Sequence, residues 1–448
     1  MAKGIMIAAV KSGSGKTMFT CGLLRLLKEK NLKVRSFKCG PDYIDPMFHR
    51  RVLGIAGGNL DSFFCDGKML EKVYEEGSWG YDIVVTEGVM GIYDGAGTDR
   101  SGSSYDVAEK LGLSIILLAD CSGMGKTLVS VIGGIVADDT GGLIKGIVLN
   151  NISGHYYKLI KPLIEEKTGT LVMGYLPKIK DGGFESRHLG LKMPEEVEDI
   201  SRRIDLIAEQ ISKTVDVDAL LGEAKAGCKK TRKIAASLPP RVKIAIARDE
   251  AFCFYYEENL ALLESLGAGI VFFSPIYDDK IPEDADGIYM GGGYPELHTE
   301  KLSANTSMLL SVKNAIEDGM PSFAECGGFM YLQDEIDGKK MVGVIHSKSQ
   351  KTSKLVRFGY VSAQTDRETF LPKGETVRGH EFHYYDSEDN GSDIILTKAS
   401  DGKGYKAVMA DENHWWGYPH LYLPSNVNFA ERFLMSCEKY SNKRKGRV

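Results

Sequence analysis

Two short stretches bring together residue types that could do chemistry. The first, KSGSGKT, spans Lys11 to Thr17 and follows the apolar run GIMIAAV. Gly13 and Gly15 permit a turn whose backbone N–H groups face inward on a phosphate. Lys16 would then reach the β/γ oxygens, and Thr17 would offer its hydroxyl to Mg²⁺. Val10 stands where the common phosphate loop has its first glycine, and Lys11 adds a second lysine. Acids follow at the ends of later apolar runs: Asp42 and Asp45 in GPDYIDPMFH, Glu87 and Asp94 in VVTEGVMGIYDG. An isolated Asp in a loop is more often a turn former. Here the acids cluster at strand ends, where open parallel sheets bind ligands. Mg²⁺ takes one or two carboxylates besides the phosphate oxygens, so the set suits phosphoryl transfer. A second G-K-T, around Lys126 in ADCSGMGKTLVS, reads as a helix start near the site, because two nucleotide loops in one small sheet would be unusual.

The second stretch is PSFAECGGFMYL, Pro321 to Leu332. It reads strand, sharp turn, helix, with Cys326 at the turn. A thiol there is expected to face a helix N-terminus, which lowers its pKa and supplies a nucleophile. A buried inert thiol is the usual fate of such a cysteine, but one would sit among apolar neighbours, not beside Gly327 and Gly328. Upstream, MGGGYPEL supplies glycines, notably Gly292 and Gly293, able to turn N–H groups on an oxyanion. A base is needed, and His420 in WWGYPHLYLPSN is the candidate. His380 and His383 in RGHEFHYYD are rivals that read more simply as histidines bonded inside a sheet; His414 has no assigned part.

The elements that must position these residues follow from periodicity. In the first half, GIMIAAV, KVRSFKC, YDIVVTEGV, SIILLAD and GLIKGIVLNN alternate with helical patterns, which predicts a parallel sheet covered on both faces. GEAKAGCKKTRKIAASLPP is small, basic and ends in two prolines, so it reads as a linker. A second α/β pattern starts at KIAIARDE, runs through GIVFFS and closes with the helix VNFAERFLMSCEKY. The expected organisation is an ATP-binding domain over 1–222, a linker over 223–240 and a second α/β domain over 241–448. The length of 448 residues suits two domains. With 43% hydrophobic and 26% charged residues and a net charge of -5, the chain gives no sign of nucleic-acid binding. It has no apolar run able to cross a membrane, and MAKGIMIAAVKSG lacks a cleavable signal pattern. Eight scattered cysteines with no C-x-x-C pair point to reduced thiols, hence a cytoplasmic protein without a zinc site.

The motifs FKCGPDYIDPMFH, NLDSFF, TEGVMGIYDG, ESRHLGL, GGGYPEL, ECGGFMYL and RGHEFHY occur in the order seen in the cobyrinic acid a,c-diamide synthases, and the resemblance spans nearly the whole chain. It implies an N-terminal P-loop NTPase-like domain and a C-terminal domain like the class I glutamine amidotransferases. It also implies ATP- and glutamine-dependent amidation of the a and c acetate carboxylates of cobyrinic acid. The carboxylate would attack the γ-phosphate of ATP and become an acyl phosphate as ADP leaves, and ammonia made at Cys326 would attack that acyl phosphate. By the same resemblance Asp45, Glu87 and Asp94 hold metal or orient the substrate carboxylates, as Asp42 would. Asn150 is either an adenine reader or a strand-end turn residue. The family lacks the usual third acid of the triad, and here Tyr422 stands in its place after His420. Three other readings stay open. The nickel sirohydrochlorin a,c-diamide synthases share these motifs, and cobyric acid synthase has a related plan. A partition-type regulatory ATPase, which the loop also resembles, is invited by Lys11 but has no use for Cys326 and His420. The expected partners are glutamine, ATP with Mg²⁺ and a tetrapyrrole dicarboxylate, with no nucleic acid and no membrane. A homodimer is expected because relatives of this fold often form one.

Overall fold

The computed structural model describes residues 2–179, 186–187, 190–191, 199–226 and 240–446. Two compact units divide the chain, Met1–Arg232 and Lys233–Val448. Among the described residues no helix is long and apolar enough to cross a membrane.

The first unit is built on seven parallel strands: β1 (Lys3–Ala9), β2 (Val34–Cys39), β3 (Gly57–Leu60), β4 (Ile83–Glu87), β5 (Ser114–Asp120), β6 (Ile144–Asn150) and β7 (Val172–Leu176). Their order is β3-β2-β4-β1-β5-β6-β7. β4 and β5 are buried at every residue, as strands covered on both faces must be. Five of these strands are the ones the sequence predicts. β3 and β7 went unread because GGNL and VMGYL are short and interrupted by glycine, which weakens a strand signal. Lys225 and Ala226, inside the segment read as a linker, pair antiparallel with Gly4 and Lys3 of β1. Chain order reverses direction across β1: β2 and β4 lie on one side, β5 and β6 on the other. The carboxyl ends of these strands therefore open a crevice at that switch point.

The second unit holds a mostly parallel sheet in the order Ala268–Phe273, Val242–Ala247, Gly287–Met290, Ser322–Glu325, His414–Gly417, with Met409–Ala410 antiparallel at the edge. Phe323 stacks on Tyr289 at 4.6 Å, and Phe429 and Phe433 of the closing helix Val427–Arg444 pack edge-on against Phe323. A second, antiparallel sheet runs Gly404–Ala407, Ile394–Lys398, Arg357–Gln364, Thr376–His383, His420–Leu421. The chain leaves the first sheet at Gly417 and enters the second at His420. This crossing brings the base candidate to the end of the strand that carries Cys326.

Candidate active site

The crevice of the first unit collects most of the residues read from its sequence. Between β1 and α1 (Lys16–Glu29) the loop turns through Gly13 at φ 74° and Gly15 at φ 91°, the left-handed conformation that glycine adopts without strain. Lys16 donates to the Met90 carbonyl, which holds it across the crevice. Burial, then the neighbouring Lys38 charge, bring its pKa down to about 8. Thr17 Oγ1 donates to Glu87 Oε1 at 2.7 Å and reaches Asp45 Oδ2 at 3.2 Å.

Lys38, at the end of β2, was missed. Its ammonium lies 2.5 Å from Asp45 Oδ2 and 2.9 Å from Glu87 Oε1, with all three side chains buried. The signal was available, since a lysine inside the apolar run VRSFKC has to find an acid. Burial raises the Glu87 carboxyl, but Lys38, then His49 and Thr17, hold it well below the ordinary range. Burial and the nearby Asp42 push the Asp45 carboxyl up.

Other candidates serve the loops themselves. Asp42 Oδ1 accepts the N–H groups of Ile44 and Asp45, fixing the short helix Ile44–Met47 (α2). Asp94 Oδ2 accepts from Gly91 N at 2.8 Å, and its charge acts on Lys16. Asn150 donates to the Ser14 carbonyl at 2.9 Å and abuts Gly15, tying β6 to the phosphate loop. Lys11 is mostly exposed and lies 3.6 Å from Asp120. Lys126 is exposed at a helix start. His188 of ESRHLGL lies outside the described residues.

Among the described residues no cluster of three or more His, Cys, Asp or Glu suits a tightly bound metal. The donors that do converge are oxygens: the Thr17 hydroxyl, Asp45 and Glu87, whose buried Oε2 lies 3.6 Å from His49 Nε2. That set fits Mg²⁺ arriving with a nucleotide, which needs few protein ligands.

In the second unit Cys326 sits at φ 48°, ψ −103° between the strand Ser322–Glu325 and the helix Gly327–Leu332. Such a conformation in a non-glycine residue is strained, and it points a nucleophile out of the sheet. Cys326 N donates to Gly417 O at 2.8 Å, three residues before His420. His420 lies against Gly292, where any Cβ would overlap its ring. Gly293 N approaches Gly327 from the same strip. Gly291 is different: its N–H donates to the Tyr255 hydroxyl at 2.8 Å, which removes it from an oxyanion role.

The expected acidification of Cys326 does not occur in the free protein. Burial, then the Glu296 charge, push the thiol up, and the Gly327 N–H offsets only part of this. A helix of six residues is too short to do more. Burial, with His380 and His383 adding, keeps His420 well below its usual value and therefore neutral. At rest Cys326 is thus a thiol and His420 a neutral imidazole.

Sequence reasoning named no group supporting His420, and the structure supplies two. Glu325, next to the nucleophile, accepts from Leu421 N at 2.6 Å and from the Tyr289 hydroxyl at 2.8 Å. His380 pairs with His420 across the sheet, stacks on it at 4.9 Å and is hydrogen-bonded to the Tyr256 hydroxyl at 3.0 Å. His383 stacks on Tyr418 at 3.9 Å, and His414 is hydrogen-bonded to Ser322. The seven cysteines among the described residues are all buried.

Fold and sites together define a nucleotide-binding unit followed by a glutamine amidotransferase unit. Residues 5–191 match the CobQ/CobB/MinD/ParA nucleotide binding domain, and residues 243–427 match the CobB/CobQ-like glutamine amidotransferase domain. Over its whole length the chain is similar to proteins named cobyrinate a,c-diamide synthase. It is 38% identical to that of Picrophilus torridus over 97% of this chain and 98% of the relative. For Caldanaerobacter subterraneus subsp. tengcongensis the figures are 36%, 99% and 100%, and for Listeria monocytogenes serotype 4b they are 40%, 97% and 99%. The chain belongs to the cobyrinate a,c-diamide synthase family. It is accordingly an enzyme of the glutamine-dependent ligase class.

Proposed function

We propose that the chain converts the a and c acetate carboxylates of cobyrinic acid to amides, using ATP and ammonia released from glutamine. The observation that carries this reading is the strained Cys326 turn with His420 beside Gly292, in a chain whose other unit holds a phosphate loop. The relatives' shared name supports the substrate.

At the amidotransferase site His420 accepts the Cys326 proton as the sulfur attacks the glutamine amide carbon. The C–N bond breaks, and ammonia departs with the proton that His420 returns. Water then cleaves the thioester and gives glutamate. Gly292 and Gly293 would turn backbone N–H groups on the developing oxyanion.

In the first unit a substrate carboxylate oxygen attacks the γ-phosphorus of ATP, and ADP leaves. Ammonia displaces phosphate from the acyl phosphate and forms the amide. Lys16 and the loop N–H groups around Gly13 and Gly15 would neutralise the phosphates. Thr17, Asp45 and Glu87 would hold Mg²⁺, whose charge supports phosphoryl transfer. Asp94, whose charge already acts on Lys16, would orient the substrate carboxylate. Asn150, bonded to Ser14, would hold the loop in shape and not read adenine.

The deciding experiment offers cobyrinic acid and nickel sirohydrochlorin side by side to purified wild type and Cys326→Ala, with glutamine or with ammonia, and follows mass gain. Two amide additions on cobyrinic acid, lost in the variant with glutamine but kept with ammonia, are expected. Addition only to the nickel compound would reassign the substrate. No addition to either, with ATP still hydrolysed, would refute the reading.

A further inference from the structure

Glutamine carries an α-ammonium that glutaramate, the same chain without the amino group, lacks. A glutaminase pocket has to tell the two apart. Directly after Gly292 and Gly293 the chain makes a short turn, Pro295–Leu297, that contains Glu296. Its Pro295 ring packs on the nucleophile's own helix: a Cβ at Gly327 would lie 2.9 Å from Pro295 Cδ and 3.3 Å from Gly293 N. Of all the charges acting on Cys326, that of Glu296 is the largest. It is felt as well at the Tyr385 phenol.

The groups facing Glu296 are accounted for. Asp337 accepts from the Tyr385 hydroxyl at 2.6 Å and from Lys351 N at 3.1 Å. The Lys351 charge attracts Glu296 but forms no ion pair with it, and the carboxyl accepts from its own backbone N–H. Burial, with Asp337 adding, pushes the Glu296 carboxyl up to about 7. It is thus ionised at slightly alkaline pH, with the Lys351 charge near it but no ion pair to hold it. A carboxylate beside a thiol opposes the thiolate that the reaction needs. The arrangement makes chemical sense once a cation enters between them.

We propose that Glu296 receives the α-ammonium of glutamine, and that the arriving cation cancels the negative field on the Cys326 sulfur. Substrate binding thereby completes the nucleophile. The inference rests on the glutaminase reading of Cys326.

The test measures kcat/KM at pH 8 with L-glutamine and with glutaramate. A charge-assisted hydrogen bond corresponds to a preference of about tenfold or more, so wild type is expected to prefer L-glutamine by that factor. Glu296→Gln is expected to bring the ratio to within about twofold, through a higher KM for glutamine. A merely structural role would lower both substrates alike and leave the ratio unchanged, and that result would overturn the proposal. So would a wild-type ratio near one. Glu296→Asp, which withdraws the carboxylate by one methylene, is expected to give an intermediate ratio, and it decides the matter if Glu296→Gln does not fold. Wild type inactive on both amides would instead refute the glutaminase reading itself.

Discussion

Lys38, Asp45 and Glu87 form a buried group in which one ammonium is set against two carboxylates, with Thr17 bonded to both acids. Removing the ammonium leaves Glu87 ionised in a site that water does not reach. Lys38→Met is therefore expected to lower stability by about 3 kcal/mol at neutral pH, because an uncompensated buried charge costs more than the pair contributes. A urea melt of wild type and variant checks this, and no loss would mean that the acids are neutral without Lys38. Glu87 also orients the Thr17 hydroxyl. Glu87→Gln is expected to reduce ATP-dependent amidation roughly a hundredfold even with free ammonia supplied, since it weakens charge stabilisation where phosphoryl transfer occurs. Glutaminase activity, which resides in the other unit, should be retained. A variant that still amidates at the wild-type rate would remove Glu87 from the site.

At the level of elements, the amidotransferase site depends on two strands from different sheets meeting at one point. The strand His414–Gly417 runs parallel to the nucleophile strand, and the next strand, His420–Leu421, lies against Thr376–His383. Gly379 makes that approach feasible, since any side chain there would overlap the His420 carbonyl. Gly379→Ala is expected to displace His420 and cut glutamine-driven turnover at least about tenfold, as small misplacements in a site do. Ammonia-driven synthesis should be nearly unchanged. Equal loss with both nitrogen sources would show that the substitution disturbs more than the base. These elements also mark what the sequence could reveal. SIILLAD is apolar from Ile115 to Ala119 and matches β5 residue for residue. Cys326 and His420 were legible because unusual neighbours surround them: two glycines in one case, a proline and aromatic residues in the other. Glu325 was not, and of His380 only its place inside a sheet was, because their support of His420 comes from pairing across nearly a hundred residues in one case and forty in the other. No local pattern encodes that register. The strand His414–Gly417 was hidden for a similar reason. It is a four-residue segment whose partner is the nucleophile strand far upstream.

For the molecule as a whole, the buried ionisable groups make stability depend on pH in a way that separates their contributions. Glu325 has its carboxyl pushed up to about 8 by burial, although the Leu421 N–H and Tyr289 hydroxyl pull the other way. Its unfolded value is near 4.5. Folding therefore favours the proton between these values, and the contribution is full below pH 4.5 and lost as pH rises through about 8. His380, brought down to about 3 by burial, and His420, lowered by burial and by its neighbours, act oppositely. They add stability as pH rises towards their ordinary value of 6.5 and are neutral in both states above it. Glu296 follows the sign of Glu325 but levels off near 7. Lys16 begins to lose its charge in the folded state only near 8. Asp45, also pushed up, has the same sign but belongs to the first unit. In the second unit the slope between pH 7 and 8 thus belongs mainly to Glu325, with a ceiling of about 1.4 kcal/mol per pH unit for one proton. A glutamine at this position keeps an oxygen for Leu421 N and offers an N–H to Tyr289, so Glu325→Gln mimics the protonated acid. Melts of the full chain at pH 7 and pH 8 are expected to show the second unit weakening in wild type and holding nearly constant in Glu325→Gln. Equal weakening in both proteins would mean that Glu325 is already ionised at pH 7, with the Leu421 and Tyr289 hydrogen bonds carrying its buried charge.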